Sequence, residues 1–225
     1  MLNWLQWLPE NVSTYGGDID AVFGLIYYLT VLWFFITFGV LGWFLVRYRR
    51  REGQRAAYVR GERLGEVAWL LVPVAVVLVL DFWIDFKGAP AWARVKIERP
   101  PAELTIRVTG KQFNWEVVYA GPDGRFDTAD DRTFDNEIHV PVGKPVRLEL
   151  RSKDVIHSFF LPNLRLKQDV VPGRVIDAWF EATKTGKYEL PCAMLCGFGH
   201  SGMKGYLFVE TPEAFDQWRA EQWRS

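Results

Sequence analysis

The stretch of sequence that decides the fold lies near the C-terminus and reads CAMLCGFGHSGM, from Cys192 to Met203. Within these twelve residues, Cys192, Cys196, His200 and Met203 supply two thiols, an imidazole and a thioether. Copper prefers this soft set of thiolate, imidazole and weakly bound methionine. Such a loop between two strands, with a further histidine from an earlier strand, is typical of β-sandwiches that bind one copper ion. His157 is in the place expected for that earlier histidine.

The two cysteines of this loop also have a purely structural interpretation. Cysteine pairs in domains outside the cytoplasm most often form disulfides. A disulfide, however, gives no reason for His200 and Met203 at their offsets from Cys196. The full pattern therefore favours a metal site, and the second cysteine indicates two thiolates that are able to bridge two copper ions.

The sequence on both sides of this loop is that of an all-β domain. Short runs rich in β-branched and aromatic residues recur between turn signals, and several alternate apolar with polar positions. From Asp85 onward 20 basic residues balance 20 acidic ones, so nothing indicates a nucleic-acid partner. A short amphipathic helix is predicted over 212–223. The pattern predicts a β-sandwich or barrel, with strands at 104–109, 115–119, 137–140, 145–150, 158–161, 174–180, 186–190 and 206–209.

Two apolar stretches before this domain predict a membrane hairpin. Residues 21–46 contain no charged side chain in 26 positions, and residues 67–84 contain only Asp81. A helix needs about 17–25 apolar residues to cross a bilayer, so both stretches are long enough. The alternatives are an uncleaved signal sequence for the first stretch and a buried helix for the second. The acidic start of the chain disfavours a signal sequence, because signal sequences begin with basic residues.

The connection between the two stretches determines the expected topology. It carries seven arginines against two glutamates, and short loops rich in basic residues stay on the cytoplasmic side. Both chain ends are therefore expected outside the cytoplasm. The predicted organisation is an outer segment at 1–20, membrane helices at 21–46 and 64–86, a cytoplasmic loop at 47–63 and a periplasmic domain at 87–225.

These features together resemble subunit II of the haem-copper oxygen reductases, the cytochrome c oxidases. The motif Cys-x3-Cys-x3-His-x2-Met, with Val-x-His-Ser upstream, is highly specific. The resemblance implies a two-helix transmembrane hairpin in the inner (cell) membrane and a Greek-key cupredoxin domain that holds the dinuclear copper centre CuA. It further implies a relay of electrons from a c-type cytochrome to haem in subunit I, where oxygen is reduced to water and protons are pumped.

The resemblance also implies partners and a ligand set. Subunits I and III are the expected partners, and the segment 167–174 is similar to one that faces subunit I. Haem is expected only on other polypeptides, because the sequence contains no Cys-x-x-Cys-His. The two cysteines bridge the coppers, each histidine binds one copper, and the methionine is a weak ligand. The implied ligands are the side chains of His157, Cys192, Cys196, His200 and Met203 and the backbone carbonyl of Met194.

Two positions depart from the family pattern. Met194 stands where most members have a glutamate that binds magnesium, and a thioether is a poor ligand for that hard cation. We therefore do not expect this chain to contribute a magnesium ligand. In the run GKQFNW, Phe113 replaces the tryptophan through which cytochrome c delivers its electron. Phe113 and Trp115 remain the candidates through which electrons enter, and the change favours a donor tethered to the membrane or held in a larger supercomplex.

Two further charged features have both a functional and an ordinary interpretation. Glu66 begins the second span in the pattern Glu-x-x-Trp-x-x-x-Pro. In relatives this carboxylate helps protons enter subunit I, and the alternative is a charge that stabilises a helix N-terminus. The acidic loop from Asp123 to Asp131 has the composition of a calcium site or of a surface that attracts a basic cytochrome. An ordinary solvated turn is the alternative.

Other functions fit parts of the sequence. A CuA subunit of a nitric oxide reductase would carry the same residues, because the reaction site lies on another subunit. A copper-delivery protein for oxidase assembly also has Cys-x3-Cys with a distant histidine, but in a thioredoxin-like fold that gives no role to His200 or Met203. A quinol oxidase is disfavoured, since members that use quinol lack these copper ligands.

Overall fold

A computed structural model describes residues 8–224 and divides the chain into two compact units. One unit comprises residues 18–92, and the other comprises residues 8–17 together with residues 93–224. The first seven residues of the predicted outer segment and the last residue of the predicted β domain lie outside the described part of the chain.

Two long apolar helices form the first unit. The helix α1 (Gly16–Arg47) and the helix α2 (Leu64–Lys96) are both long and apolar enough to cross a membrane. Their large side chains are exposed, as in Phe35 and Trp69, which are 67% and 85% exposed. Water disfavours so large an apolar surface, whereas a bilayer accommodates it. The helices therefore anchor the chain in a membrane.

The end of α2 corrects one predicted domain boundary. Residues 87–96, which we assigned to the β domain, continue α2. Charged side chains end an apolar stretch but leave the backbone hydrogen bonds of a helix intact. The single prolines Pro73 and Pro90 lie inside α2, whereas the consecutive prolines Pro100 and Pro101 follow its end. Two prolines in a row favour extended backbone, because each lacks an N–H and restricts the residue before it.

The N-terminal segment packs as part of the β unit, a contact that no sequence pattern indicated. Val12 and Tyr15 are buried there. The backbone N–H of Val12 donates to the carbonyl of Asn163 at 2.9 Å, and its carbonyl accepts from the N–H of Thr183 at 2.8 Å. The Tyr15 hydroxyl donates to the Trp179 carbonyl at 3.2 Å. The outer segment predicted at 1–20 is therefore, over its described residues up to 17, part of the folded β unit.

The β unit is a sandwich that contains all eight predicted strands and two others. The additional strands are β3 and β7, which pair with β2 and β6. Their sequences, RTFD and LKQDV, are short and mostly polar, so no apolar alternation marks them. The strands are β1 (Leu104–Lys111), β2 (Asn114–Tyr119), β3 (Arg132–Asp135), β4 (Glu137–Pro141), β5 (Pro145–Ser152), β6 (His157–Leu161), β7 (Leu166–Val170), β8 (Ile176–Glu181), β9 (Gly186–Pro191) and β10 (Lys204–Glu210).

The strands form a five-stranded sheet in the order β3-β2-β1-β5-β8, a three-stranded sheet in the order β4-β10-β9 and the hairpin β6-β7. The pairs β1–β5 and β4–β10 are parallel, and the other pairs are antiparallel. Alternate residues such as Val146, Leu148 and Leu150 are fully buried, as their alternation with polar residues predicts. Apolar residues of β4 and β10, among them Ile138 and Leu207, complete the core.

The C-terminal helix α3 (Pro212–Gln222) closes the described chain, close to the predicted range of 212–223. Thr211 caps its N-terminus by accepting the N–H of Ala214 at 3.2 Å, and a proline at the first helical position suits the fixed φ of that residue. The ring of Trp218 stacks on His139, which in turn stacks on Phe208. These contacts fix the helix to the three-stranded sheet.

Candidate metal centre

The residues 192–203, called the ligand loop below, connect β9 to β10. The two strands pair Pro191 with Lys204, and the N–H of Cys192 donates to the carbonyl of Met203 at 3.0 Å. The first and last residues of the loop are therefore neighbours although eleven positions separate them in sequence. This hairpin geometry brings the loop's sulfur and nitrogen atoms together.

Four side chains of the ligand loop converge on one point. The Sγ atoms of Cys192 and Cys196 are 3.9 Å apart, far beyond a disulfide bond of about 2.05 Å, and both thiols are free. Cys196 Sγ lies 3.6 Å from His200 Nδ1 and 3.8 Å from Met203 Sδ. Metal–sulfur bonds of about 2.3 Å would allow one ion to contact both thiolates.

His157, the first residue of β6, approaches from the other side. Its ring is completely buried, and its Nδ1 lies 4.0 Å from Cys192 Sγ. The N–H of Ala193 donates to the carbonyl of Ser158 at 3.0 Å, and Phe159 forms a bridge with Cys192. The strand β6 is thereby fixed to the start of the ligand loop. His157 and the two cysteines form a group whose donor atoms all lie within 4.8 Å of one another.

Most of the converging side chains are buried, which affects the protonation of the thiols. Cys192, Cys196 and Met203 are 7%, 4% and 1% exposed. Burial, and then the neighbouring Cys192 thiol, raise the pKa of Cys196 to about 11. The thiol therefore keeps its proton at neutral pH until a cation replaces it. The cluster offers two thiols, two imidazoles and a thioether but no carboxylate, whereas hard cations need mostly oxygen ligands, so it fits a soft metal such as copper.

Asp154 holds His157 in position from behind, which the sequence did not reveal. Its Oδ1 lies 2.8 Å from His157 Nε2, and its two oxygens also accept the N–H groups of Val155 at 2.6 Å and Gln112 at 2.7 Å. Partial burial acts against the carboxylate, but these hydrogen bonds prevail and lower the pKa of Asp154. With Nε2 bound to a carboxylate, Nδ1 is the nitrogen left free for a metal.

The turn between β1 and β2 covers the ligand loop. The side-chain amide of Gln112 donates to the carbonyl of Cys196 at 2.6 Å. The ring of Phe113 lies against two glycines of the loop. A Cβ atom on Gly199 would be 2.5 Å from Phe113 Cδ2, and one on Gly197 would be 2.7 Å from Gln112 Nε2. Only glycine allows this close approach.

The other predicted site residues are placed as follows. Phe113 is 37% exposed, whereas Trp115 is completely buried, with its ring against His157 and Phe159. Of the two candidates through which electrons enter, only Phe113 therefore reaches the surface. The carbonyl oxygen of Met194 lies 3.2 Å from Cys192 Sγ, at the centre of the site.

Glu66 and the acidic loop lie elsewhere. Glu66 is in the first turn of α2, and its Oε2 accepts the N–H of Gly61 at 2.8 Å. In the loop, Asp127 forms an ion pair with Arg107 at 2.7 Å, and Asp131 accepts the N–H of Asp127. Asp127 and Asp131 therefore have partners within the protein, as in an ordinary turn. The calcium interpretation of this loop stays a prediction.

Comparison with known proteins places these features in a family. The family model described as "Cytochrome C oxidase subunit II, periplasmic domain" matches residues 104–209. Cytochrome c oxidase subunit 2 of Thermostichus vulcanus is 30% identical, over 95% of this chain and 78% of that protein. The alternative cytochrome c oxidase subunit 2 of Bradyrhizobium diazoefficiens is 29% identical, over 96% and 83%. The crystal structure of the periplasmic domain of subunit II of cytochrome oxidase from Bradyrhizobium japonicum is 36% identical, over 55% of this chain and 95% of that chain, with a TM-score of 0.49.

Two apolar helices, a β-sandwich and a buried cluster of soft ligands define a membrane-anchored cupredoxin. Its sequence similarity assigns it further. The chain belongs to the cytochrome c oxidase subunit 2 family, so it is a subunit of a cytochrome c oxidase. The predicted fold class and family are confirmed, and the thioredoxin-like fold of a copper-delivery protein is excluded.

Proposed function

We propose that electrons enter the oxidase through this chain, and that it holds two copper ions as the CuA centre. One observation carries the proposal: two reduced thiols lie 3.9 Å apart, and each has its own imidazole within 4.0 Å. A site for a single blue copper uses one thiolate, so the second cysteine would be unexplained. The ligands in this proposal are the side chains of His157, Cys192, Cys196, His200 and Met203 and the carbonyl of Met194.

With Cys192, Cys196, His157 and His200 as its ligands, a dinuclear copper centre would supply one-electron transfer, with the change in charge spread over two ions. The protein's contribution is to keep the donor atoms fixed. Asp154 orients His157, and Gln112 holds the carbonyl of Cys196. Because the donors are already together and buried, few dipoles need to move when an electron arrives or leaves.

The surface above the site suits a protein partner. Phe113, Leu195 and Phe198 are 37%, 78% and 104% exposed, and exposed apolar side chains around a functional site typically mark an interaction surface. We assign this surface to a c-type cytochrome, either soluble, membrane-tethered or held in a larger supercomplex. The electron then passes to haem in subunit I, where oxygen is reduced and protons are pumped. Subunit III is the further expected partner.

The proposal includes an orientation and the roles of two side chains. The arginine-rich connection between α1 and α2 faces the cytoplasm, so the β unit lies on the periplasmic side of the inner membrane. Glu66, at the start of α2, is on the side from which protons are taken up. Met194 offers a thioether where magnesium would need oxygen, so the chain contributes no magnesium ligand at this position.

The test is to purify the complex through a tag on this chain, then measure its copper content and electron paramagnetic resonance spectrum. We expect three coppers per complex, two from this chain and one from the haem-copper site of subunit I, and the hyperfine pattern of one electron shared by two copper nuclei. Cys196→Ser should lose that pattern and reduce the copper content, while the haem-copper site of subunit I is retained. The pattern of a single copper nucleus would overturn the proposal. Oxygen uptake by the same preparation supports an oxidase, whereas nitric oxide consumption without oxygen uptake would show a nitric oxide reductase.

A further inference from the structure

A second site lies on the outer face of the five-stranded sheet, away from the metal ligands. It is a cavity of about 270 Å³, and a water needs only about 10–15 Å³ of such volume. Strand register places Thr105, Arg147 and Trp179 side by side in one wall. The end of α2 and the segment that follows it, residues 95–102, form the other wall.

The charges in this cavity are unequal. Lys96, Arg99 and Arg147 line it, and Asp177 is the acidic residue among its lining residues. One carboxylate serves both arginines: Asp177 accepts from Arg99 at 3.0 Å and from Arg147 at 2.9 and 3.2 Å. The cavity therefore has an excess of two positive charges, although the β domain as a whole is neutral.

Hydrogen-bond donors in the cavity are also in excess. Lys96 Nζ makes one hydrogen bond, to Gln168 Oε1 at 2.6 Å, and it forms no ion pair with another described residue. A lysine ammonium has three N–H donors and an arginine guanidinium has five, so the three cations retain donors beyond the hydrogen bonds to Gln168 and Asp177. A ligand that accepts several hydrogen bonds would therefore be stabilised here.

We propose that this cavity binds a phosphate group. Phosphate carries the negative charge that the cavity lacks and offers several acceptor oxygens, and the planar fork of an arginine matches its geometry. Two sources supply this chemistry. Lys96 is the last residue of a helix that crosses the membrane, so the headgroup of an anionic phospholipid is one source. Free orthophosphate is the other.

The test uses the full chain, purified in a neutral detergent, and it requires no copper. One arm titrates orthophosphate by calorimetry at constant ionic strength. The other counts phosphatidylglycerol molecules retained in native mass spectrometry, with phosphatidylcholine as the lipid without net charge. The variants are the double substitution Lys96→Gln/Arg147→Gln, which removes the excess charge, and Asp177→Asn, which increases it. Arg125→Gln, an exposed arginine in the acidic loop, is the matched control.

We expect the double variant to weaken phosphate or phosphatidylglycerol binding by about tenfold or more, because two charge-assisted contacts are lost. Asp177→Asn should strengthen binding. If the ion pairs of Asp177 had only a structural role, the same substitution would weaken binding or unfold the chain. Selective retention of phosphatidylglycerol identifies the lipid as the source, and tight binding of orthophosphate identifies the free anion. The proposal is overturned if the wild-type chain binds neither, or if Asp177→Asn and the double variant change binding in the same direction.

Discussion

Asp154 offers the sharpest test of how the protein supports its metal site. We predict that Asp154→Ala lowers the affinity for copper while leaving all proposed ligands in place. The carboxylate lies 2.8 Å from His157 Nε2, and the ring of His157 is completely buried. Without Asp154 the Nε2–H group loses its partner in a place that water does not reach, at a cost of about 1–3 kcal/mol.

The contact with His157 is the one that decides the size of this effect. Asp154 also accepts the N–H groups of Gln112 and Val155. Because the side chain of Asp154 is 31% exposed, water can take over these two hydrogen bonds when the carboxylate is removed. Loss of such an outer partner of a metal-binding histidine typically reduces metal affinity about 10–100-fold, or about 1.4–2.8 kcal/mol. Asp154→Asn retains an acceptor oxygen and should therefore lose less than Asp154→Ala.

The assay is competition for copper between the full chain in detergent and a chelator of known affinity. Asp123→Ala is the matched control, because Asp123 likewise accepts a backbone N–H, from Arg125, but belongs to the acidic loop. Circular dichroism checks that each variant keeps its β structure. A folded Asp154→Ala chain that binds copper as tightly as the wild type would refute the positioning role of this carboxylate.

Three further predictions concern stability and electron transfer. Arg107→Met should lower stability by about 1–2 kcal/mol, measured as a lower Tm of the full chain. It removes the mostly buried cation that bonds Glu149 at 2.8 Å, although Arg151 still pairs with Glu149; Arg125→Met should leave Tm unchanged. Ser158 and Lys167 lower the pKa of Asp169, so its stabilising effect is present above the ordinary pKa of about 3.9 and is lost as the pH falls through the lowered value. The difference in Tm between wild type and Asp169→Asn should therefore be largest at neutral pH and shrink in acid; a difference that grows in acid would contradict this. Phe113→Ala should slow reduction of the copper site by a c-type cytochrome about fivefold or more, whereas Phe113→Trp should not slow it. Equal rates for Phe113→Ala and the wild type in stopped-flow measurements would argue against the surface around Phe113 as the docking site of the cytochrome.

The candidate ligands could be found from sequence because most of them lie in one short loop whose chemistry is unusual. Cys192, Cys196, His200 and Met203 converge through a local hairpin. Asp154 and Gln112 were not found. Gln112 contacts Cys196 across 84 positions of sequence, and a carboxylate or an amide in a surface turn has no distinctive pattern until the fold brings it to the site.

The fold likewise could be predicted where it depends on local sequence patterns, and not where it depends on pairing between distant segments. Apolar periodicity predicted eight strands and both membrane helices. It missed β7, because Lys167, Gln168 and Asp169 interrupt the apolar pattern and only pairing with β6 makes this segment a strand. It also placed the start of the β unit too early, since polarity changes after Phe86 while the helix continues to Lys96. The N-terminal segment joined the β unit through Val12 and Tyr15, whose partners are more than 150 positions away.

The close contact between Phe113 and the glycines of the ligand loop constrains how this protein can evolve. A side chain at Gly199 would collide with the ring of Phe113, and one at Gly197 would collide with Gln112. A substitution of Gly199 that is harmful in this background should become tolerable once residue 113 is small, so the order in which changes accumulate matters. Gly197 differs, because its φ of +132° disfavours any other residue whatever stands at position 113. Libraries that vary the surface above the ligand loop should therefore randomise residues 113 and 199 together, because single-site scans would hide the permitted combinations.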